Sequence, residues 1–154
     1  MGGGLLVVFG VGVVTIVTQH PHVVAHEVEP HVVPQNCSAR AHDGIRPRYT
    51  SPVDRGPTLP TFSCEIQLLT PGRQTRAHRH NSTAIYFVFR GEGRTDVAGE
   101  PLEWTQGDIF CVPPWTWHHH ENPASEDAIL YSVDDWPAMA KMGFYRMESE
   151  EDQG

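Results

Sequence analysis

At 154 residues, with 39% hydrophobic residues and a formal net charge of −8, the chain has room for one domain around a single core. That acidity argues against nucleic acid or an anionic membrane as the main partner, because nothing in the chain would neutralise rows of phosphates. The 14 glycines and 13 prolines favour many turns over long helices, and the three cysteines, Cys37, Cys64 and Cys111, form no CxxC pair, which reads as a reducing, cytoplasmic setting.

Leu5 to Val17 (LLVVFGVGVVTIV) is apolar but too short to span a bilayer, and no Lys or Arg precedes it, the first being Arg40. The stretch that follows repeats His-Val-Val and Pro with a period of neither 2 nor 3.6, and carries His20, His22, His26 and His31. Residues 1–50 are therefore expected to be a poorly ordered leader without assigned function, ahead of a domain over 51–148 and an acidic tail over 149–154.

From Thr61 onward, short apolar runs alternate with turn residues. FSCEIQLL (62–69) alternates apolar and polar until Pro71-Gly72 breaks it. TAIYFVFR (83–90) is rich in β-branched and aromatic residues and ends at Gly91. GRTDVAGEPLEW holds a hairpin turn near Ala98-Gly99-Glu100, Gly107-Asp108 opens IFCVP, and DAILYSV (127–133) is a further strand. Strands at this spacing predict an all-β sandwich or barrel. Only WPAMAKMG (136–143) reads as a helix, with Gly143 suited to its C-terminal end.

Two histidine clusters carry chemistry. The first is Gly72-(five residues)-His78-Arg79-His80. On a strand, residues i and i+2 share a face, so His78 and His80 project together while Arg79 faces away. The second is Gly107-(five residues)-Pro113-Pro114-Trp115-Thr116-Trp117-His118, followed by Asn122. A third imidazole from a separate strand completes a facial set of neutral nitrogen ligands that leaves coordination positions open.

The joint pattern resembles the two signature motifs of the cupin superfamily. The resemblance implies a double-stranded β-helix, or jelly-roll barrel, with a short C-terminal helix and a metal held inside by His78, His80 and His118. The first cupin motif usually supplies a Glu three or four residues after the second His. Ala84 and Ile85 stand there, so the resemblance implies a three-histidine site without an anionic ligand.

The segments LLTPGRQTRAHRH (68–80), IYFVFRGEGR (85–94), GDIFCVPPWTWHHHEN (107–122) and ILYSVDDWPAMAKMGFYRME (129–148) are similar to the gentisate 1,2-dioxygenase group. That group includes relatives acting on salicylate and 1-hydroxy-2-naphthoate. Its members are usually bicupins, and this sequence looks like the C-terminal barrel alone. What the family implies is an Fe(II)-dependent ring cleavage of an aromatic hydroxy acid by O₂, with another divalent transition metal as the alternative ion. His120 matches a family histidine placed to bind substrate or move a proton. Tyr86 and Ser132 stand where the group places an Arg and an acidic residue, and Trp115 and Trp117 are candidates for the pocket wall. Arg76, Arg79 and Arg90 are the cations considered to replace the missing Arg. The alternative function is a non-catalytic cupin that binds a metal or a small molecule. A homodimer is the expected assembly, since an isolated barrel has open sheet edges.

Overall fold

The computed structural model describes residues 6–10, 13–17, 45–51 and 53–150. In chain order the strands are β1 (Leu6–Gly10), β2 (Val13–Val17), β3 (Ser63–Leu69), β4 (His78–His80), β5 (Ala84–Arg90), β6 (Glu92–Val97), β7 (Glu100–Thr105), β8 (Ile109–Val112), β9 (His118–Glu121) and β10 (Ala128–Asp134). One helix among the described residues, α1 (Trp136–Lys141), and a last strand, β11 (Met147–Ser149), follow. The strands form two antiparallel sheets, one six-stranded in the order β1-β2-β8-β5-β10-β3 and one five-stranded in the order β11-β4-β9-β6-β7. This is the expected jelly-roll barrel with its short helix. Among the described residues no helix is long and apolar enough to cross a membrane.

Period-2 patterning decides which residues face inward. β3 and β10 alternate buried and half-buried positions along their whole length, and β4 and β9 do the same around their histidines. Cross-strand register then aligns the inward residues into rows. Glu65 lies opposite Ser132, Ser132 opposite Tyr86, and Tyr86 opposite Phe110. The neighbouring row runs Ser63, Asp134, Ala84 and Val112. At the other end of these strands Leu69, Ala128, Leu130 and Val88 make an apolar floor with Trp104 and Phe110. The interior is thus divided along the strand direction, polar towards Asp134 and apolar towards Leu69.

Two turns show how sequence permits this packing. The β6–β7 hairpin closes through Ala98 and Gly99, both at positive φ (58° and 87°), as a two-residue turn of the right hand for twisted strands requires. Gly93 has a different reason: a Cβ there would lie 2.4 Å from the Trp104 ring and 2.6 Å from the Glu121 carbonyl oxygen. The missing side chain lets the Trp104 indole pack flat against β6.

Residues 45–50, placed in the leader by sequence, run antiparallel beside β3. Leu68 N–H donates to the Ile45 carbonyl at 2.8 Å, Ile66 N–H to Pro47 at 3.0 Å, and Tyr49 N–H to Cys64 at 2.9 Å. Arg46-Pro47-Arg48 has no apolar alternation to announce a strand. Its pairing comes from the backbone groups that the β3 edge offers. β1 and β2, also placed in the poorly ordered leader by sequence, pair with each other and join the sheet at β8. The expectations for His20, His22, His26 and His31, and for residues 151–154 of the tail, lie outside the described residues.

Candidate metal centre

The structure brings His78, His80 and His118 together. His78 and His80 leave β4 on one face, and His118, the first residue of β9, is the register partner of His78. One ring nitrogen from each lies within 4.8 Å of the others, and the ring centroids are 4.3 Å (His78–His118), 5.1 Å (His80–His118) and 5.8 Å (His78–His80) apart. All three side chains are buried.

Each ring is oriented by a carbonyl near it in sequence. His78 Nδ1–H donates to the Arg76 carbonyl at 3.0 Å, His118 Nδ1–H to Thr116 at 2.9 Å, and His80 Nδ1–H to Ser82 at 2.9 Å, with the Ser82 hydroxyl at the same distance. A carbonyl oxygen can only accept, so the proton sits on Nδ1 and the lone pair on Nε2. The Nε2 of His118 is buried with no hydrogen-bond partner. A buried lone pair without a partner is costly unless something electrophilic sits against it. Burial, followed by repulsion from His78, pushes His80 down to about 4 and His118 well below the ordinary imidazole range. Both are neutral at pH 7, as ligands must be. The donor set of neutral imidazoles, locked in the ligating tautomer, fits a divalent transition metal.

His120 follows on the same face of β9 and is fully buried, and burial, ahead of the charge of His118, holds it neutral as well. It is not one of the clustered trio. Its Nδ1 lies 2.8 Å from Thr95 Oγ1, and its backbone is fastened by Thr75, whose hydroxyl accepts the His120 N–H at 2.8 Å. The Tyr86 ring meets His120 edge-on at 4.7 Å and stacks on Phe110 at 5.0 Å. Ser132 sits beside Tyr86 in the same inward row. Tyr86, Ser132 and His120 therefore share the interior with the trio.

Trp115 and Trp117 do not. Both rings lie against the Arg79 guanidinium, at 4.6 and 5.0 Å, and that guanidinium is held by Glu148 of β11 at 2.6 Å. The reason is alternation: Arg79 sits between two inward histidines, and Trp117 is one residue before an inward one. Trp115 has a positive φ of 59° and donates its N–H to the His80 carbonyl at 2.6 Å. The tryptophans brace the outside of the β4–β9 pair and do not wall the pocket. Arg79 is spent in the same cluster, and Arg90 is exposed at the end of β5.

A cation that sequence reasoning missed, Arg46, enters the polar end of the interior through Glu65. It pairs with Glu65, and Arg48 pairs with the second oxygen of the same carboxylate. The Arg46 charge contributes, behind burial and the neighbouring histidines, to lowering His80, His118 and His120 alike, so the three rings lie within its electrostatic reach. Asp134 completes the polar end; burial, then the charge of Glu65, pushes it up to about 6. No motif announces Arg46, because it arrives from a segment with no recognisable period. Glu65, Gln67 and Asp134 were legible only as the alternating partners of apolar strand residues.

Comparison with known proteins agrees with this geometry. The cupin domain model matches residues 65–134. Over 107 residues the chain is 50% identical to the 5-aminosalicylate 1,2-dioxygenase of Comamonas sp., covering 70% of this chain and 28% of that protein. It is 41% identical over 112 residues to a gentisate 1,2-dioxygenase of Haloferax sp., covering 72% of this chain and 30% of that one. Among solved structures, the salicylate 1,2-dioxygenase of Pseudaminobacter salicylatoxidans superimposes with a TM-score of 0.66 at 29% identity, over 70% of this chain and 30% of that one. The chain thus spans less than a third of the length of these relatives. Residues 65–134 are a cupin domain, and the barrel is similar to part of the gentisate- and salicylate-type 1,2-dioxygenases.

Proposed function

We propose that this barrel is the metal-binding unit of a dioxygenase that cleaves the ring of an aromatic hydroxy acid of the gentisate or salicylate type, with Fe(II) as its metal. The observation that carries the reading is a buried trio of histidines, each oriented by a carbonyl at Nδ1, clustered without a carboxylate among the described residues. His78, His80 and His118 would hold the ion. When bound, Fe(II) supplies the Lewis acidity and redox chemistry that a ring-opening insertion of O₂ demands.

The chain's own residues do the rest. Three neutral ligands leave the full charge of the ion to attract an anionic ligand through its carboxylate and hydroxyl oxygens. Arg46 orients the carboxylate, and two arginines around the single Glu65 carboxylate offset both it and the opposing Asp134. The stacked Tyr86 and Phe110 rings give the aromatic ring an apolar wall. His120, at the edge of Tyr86, contacts an oxygen of the substrate or passes a proton to it. Burial of the histidines excludes bulk water and strengthens each of these contacts.

Oxygen uptake by iron-loaded protein with gentisate, salicylate, 5-aminosalicylate or 1-hydroxy-2-naphthoate tests the proposal. Absence of uptake with all four by folded, iron-loaded protein overturns it. That outcome favours a non-catalytic binding barrel, the second reading, which the neutral Tyr86 and Ser132 in the inward row support. Arg46→Gln is expected to weaken binding of the same acids by roughly 10- to 100-fold, the worth of one charge-assisted hydrogen bond, with metal content unchanged. Calorimetric titration checks this, and unchanged affinity removes Arg46 from the site. A homodimer remains the proposed assembly, and light scattering on the purified chain tests it.

A further inference from the structure

The four interior histidines are not hydrogen-bonded alike. His78, His80 and His118 each face a carbonyl oxygen through Nδ1, His80 with the Ser82 hydroxyl beside it, but the Nδ1 of His120 faces a hydroxyl and no carbonyl, Thr95 Oγ1 at 2.8 Å. That hydroxyl has a second neighbour: Trp104 Nε1 lies 2.9 Å from the same oxygen. An indole N–H can only donate, so Trp104 occupies one lone pair of Thr95 Oγ1. Thr95 is fully buried, and its hydroxyl proton needs an acceptor. Of the two groups on this oxygen among the described residues, Trp104 offers none and His120 Nδ1 offers one. Were the proton on Nδ1 instead, the Thr95 oxygen would accept twice and its own buried O–H would go unmatched.

We infer that Thr95, held by Trp104, is a positioning residue that fixes His120 in the tautomer opposite to that of the three ligand histidines, with its proton on Nε2. His120 Nε2 has no hydrogen-bond partner within the chain. In this tautomer it is a hydrogen-bond donor facing the interior, not a lone pair competing for the metal. The barrel then contains two kinds of histidine: three with the proton on Nδ1, suited to a cation, and one with an Nε2–H for an oxyanion, such as the carboxylate or phenolate oxygen of a bound aromatic acid. The arrangement also explains why the indole needs Gly93. A side chain there would displace Trp104, and with it the group that orients the hydroxyl.

This inference deepens the role proposed for His120 and rests on that reading only for the identity of the oxyanion. The test is long-range ¹H–¹⁵N correlation on protein labelled at histidine, recorded with and without Zn(II), a diamagnetic ion. In the wild type, the Nδ1 of His120 is expected at the position of a bare ring nitrogen and its Nε2 at that of an N–H nitrogen, the reverse of the other three. Thr95→Val keeps the shape but removes the hydroxyl, and the proton is expected to move to Nδ1 in a measurable fraction of molecules. Thr95→Ser is expected to retain the wild-type pattern. A wild-type spectrum with the proton on Nδ1 overturns the inference by itself, whether or not the valine variant folds. So does a folded Thr95→Val protein with an unchanged His120 pattern. Failure of Zn(II) to bind would instead count against the ligand trio, since the tautomer is read without metal.

Discussion

Replacing His118 by alanine is expected to remove stoichiometric metal from the barrel while leaving the strands folded. The variant loses one of three nitrogen donors, and the remaining two sit on the same short strand, β4. If metal binding of 10–16 kcal/mol is shared among a few ligands, losing one weakens it on the order of a thousandfold. The fold should survive because the deletion relieves the crowding of imidazoles whose centroids are as close as 4.3 Å. Sheet pairing through β6 and the apolar floor at Leu69, Val88 and Leu130 are untouched. His119→Ala is the matched control: His119 alternates to the outer face of β9, and its removal should leave metal content at the wild-type level. Elemental analysis with far-ultraviolet circular dichroism makes the comparison. One metal per folded His118→Ala chain would refute the assignment.

The second large effect is on pH. Metal-free protein should lose stability steadily as the pH falls from about 6.5 to about 4. The sign follows from which state holds more protons. Unfolded, His80 titrates near 6.5; folded, burial and the neighbouring His78 push it down to about 4. Between those values the unfolded chain binds the extra proton, so acid favours unfolding, and the full stability is present only above 6.5. For His80 alone the loss amounts to about 3 kcal/mol. His118 and His120 are shifted in the same direction by the same cause. Asp134 opposes them, because its carboxyl is raised to about 6 in the fold and gains from protonation as the pH falls through that value. One carboxyl against three histidines leaves the net slope unfavourable. A bound metal that keeps the lone pairs occupied stabilises the native state by mass action and should carry it to lower pH. Thermal midpoints measured from pH 7.5 to 4.5, with and without Zn(II), test this. A flat metal-free profile would mean that the buried histidines are not held neutral by the fold.

Alternation in β3, β5 and β10, the turn at Ala98-Gly99 and the glycines that end the runs are local signals. They were enough to place the strands and to make the chain an all-β barrel. The same period of 2 put His78 and His80 on one face and sent Arg79 to the other. The resemblance to the first cupin motif added that Ala84 and Ile85 stand where a Glu is usual, and with it the expectation of an all-histidine donor set. All of these depend only on neighbours within a few residues.

What the tertiary structure decided was set by register between strands distant in sequence. The pairing of His78 with His118 turned two motifs into one cluster. Register also set Glu65, Ser132, Tyr86 and Phe110 in one row. Trp117, one residue from a ligand, was fixed on the outside by the alternation that faces His118 inward, and Trp115 joined it on Arg79. Arg46 came from a stretch without periodicity, brought into the interior by backbone pairing with β3 and by Glu65. The three-histidine centre was therefore written in the sequence as spacing. Its electrostatic surroundings, and the division of its histidines by hydrogen-bond partner, arose only when the sheets closed, because charge and tautomer depend on neighbours in space that no local pattern records.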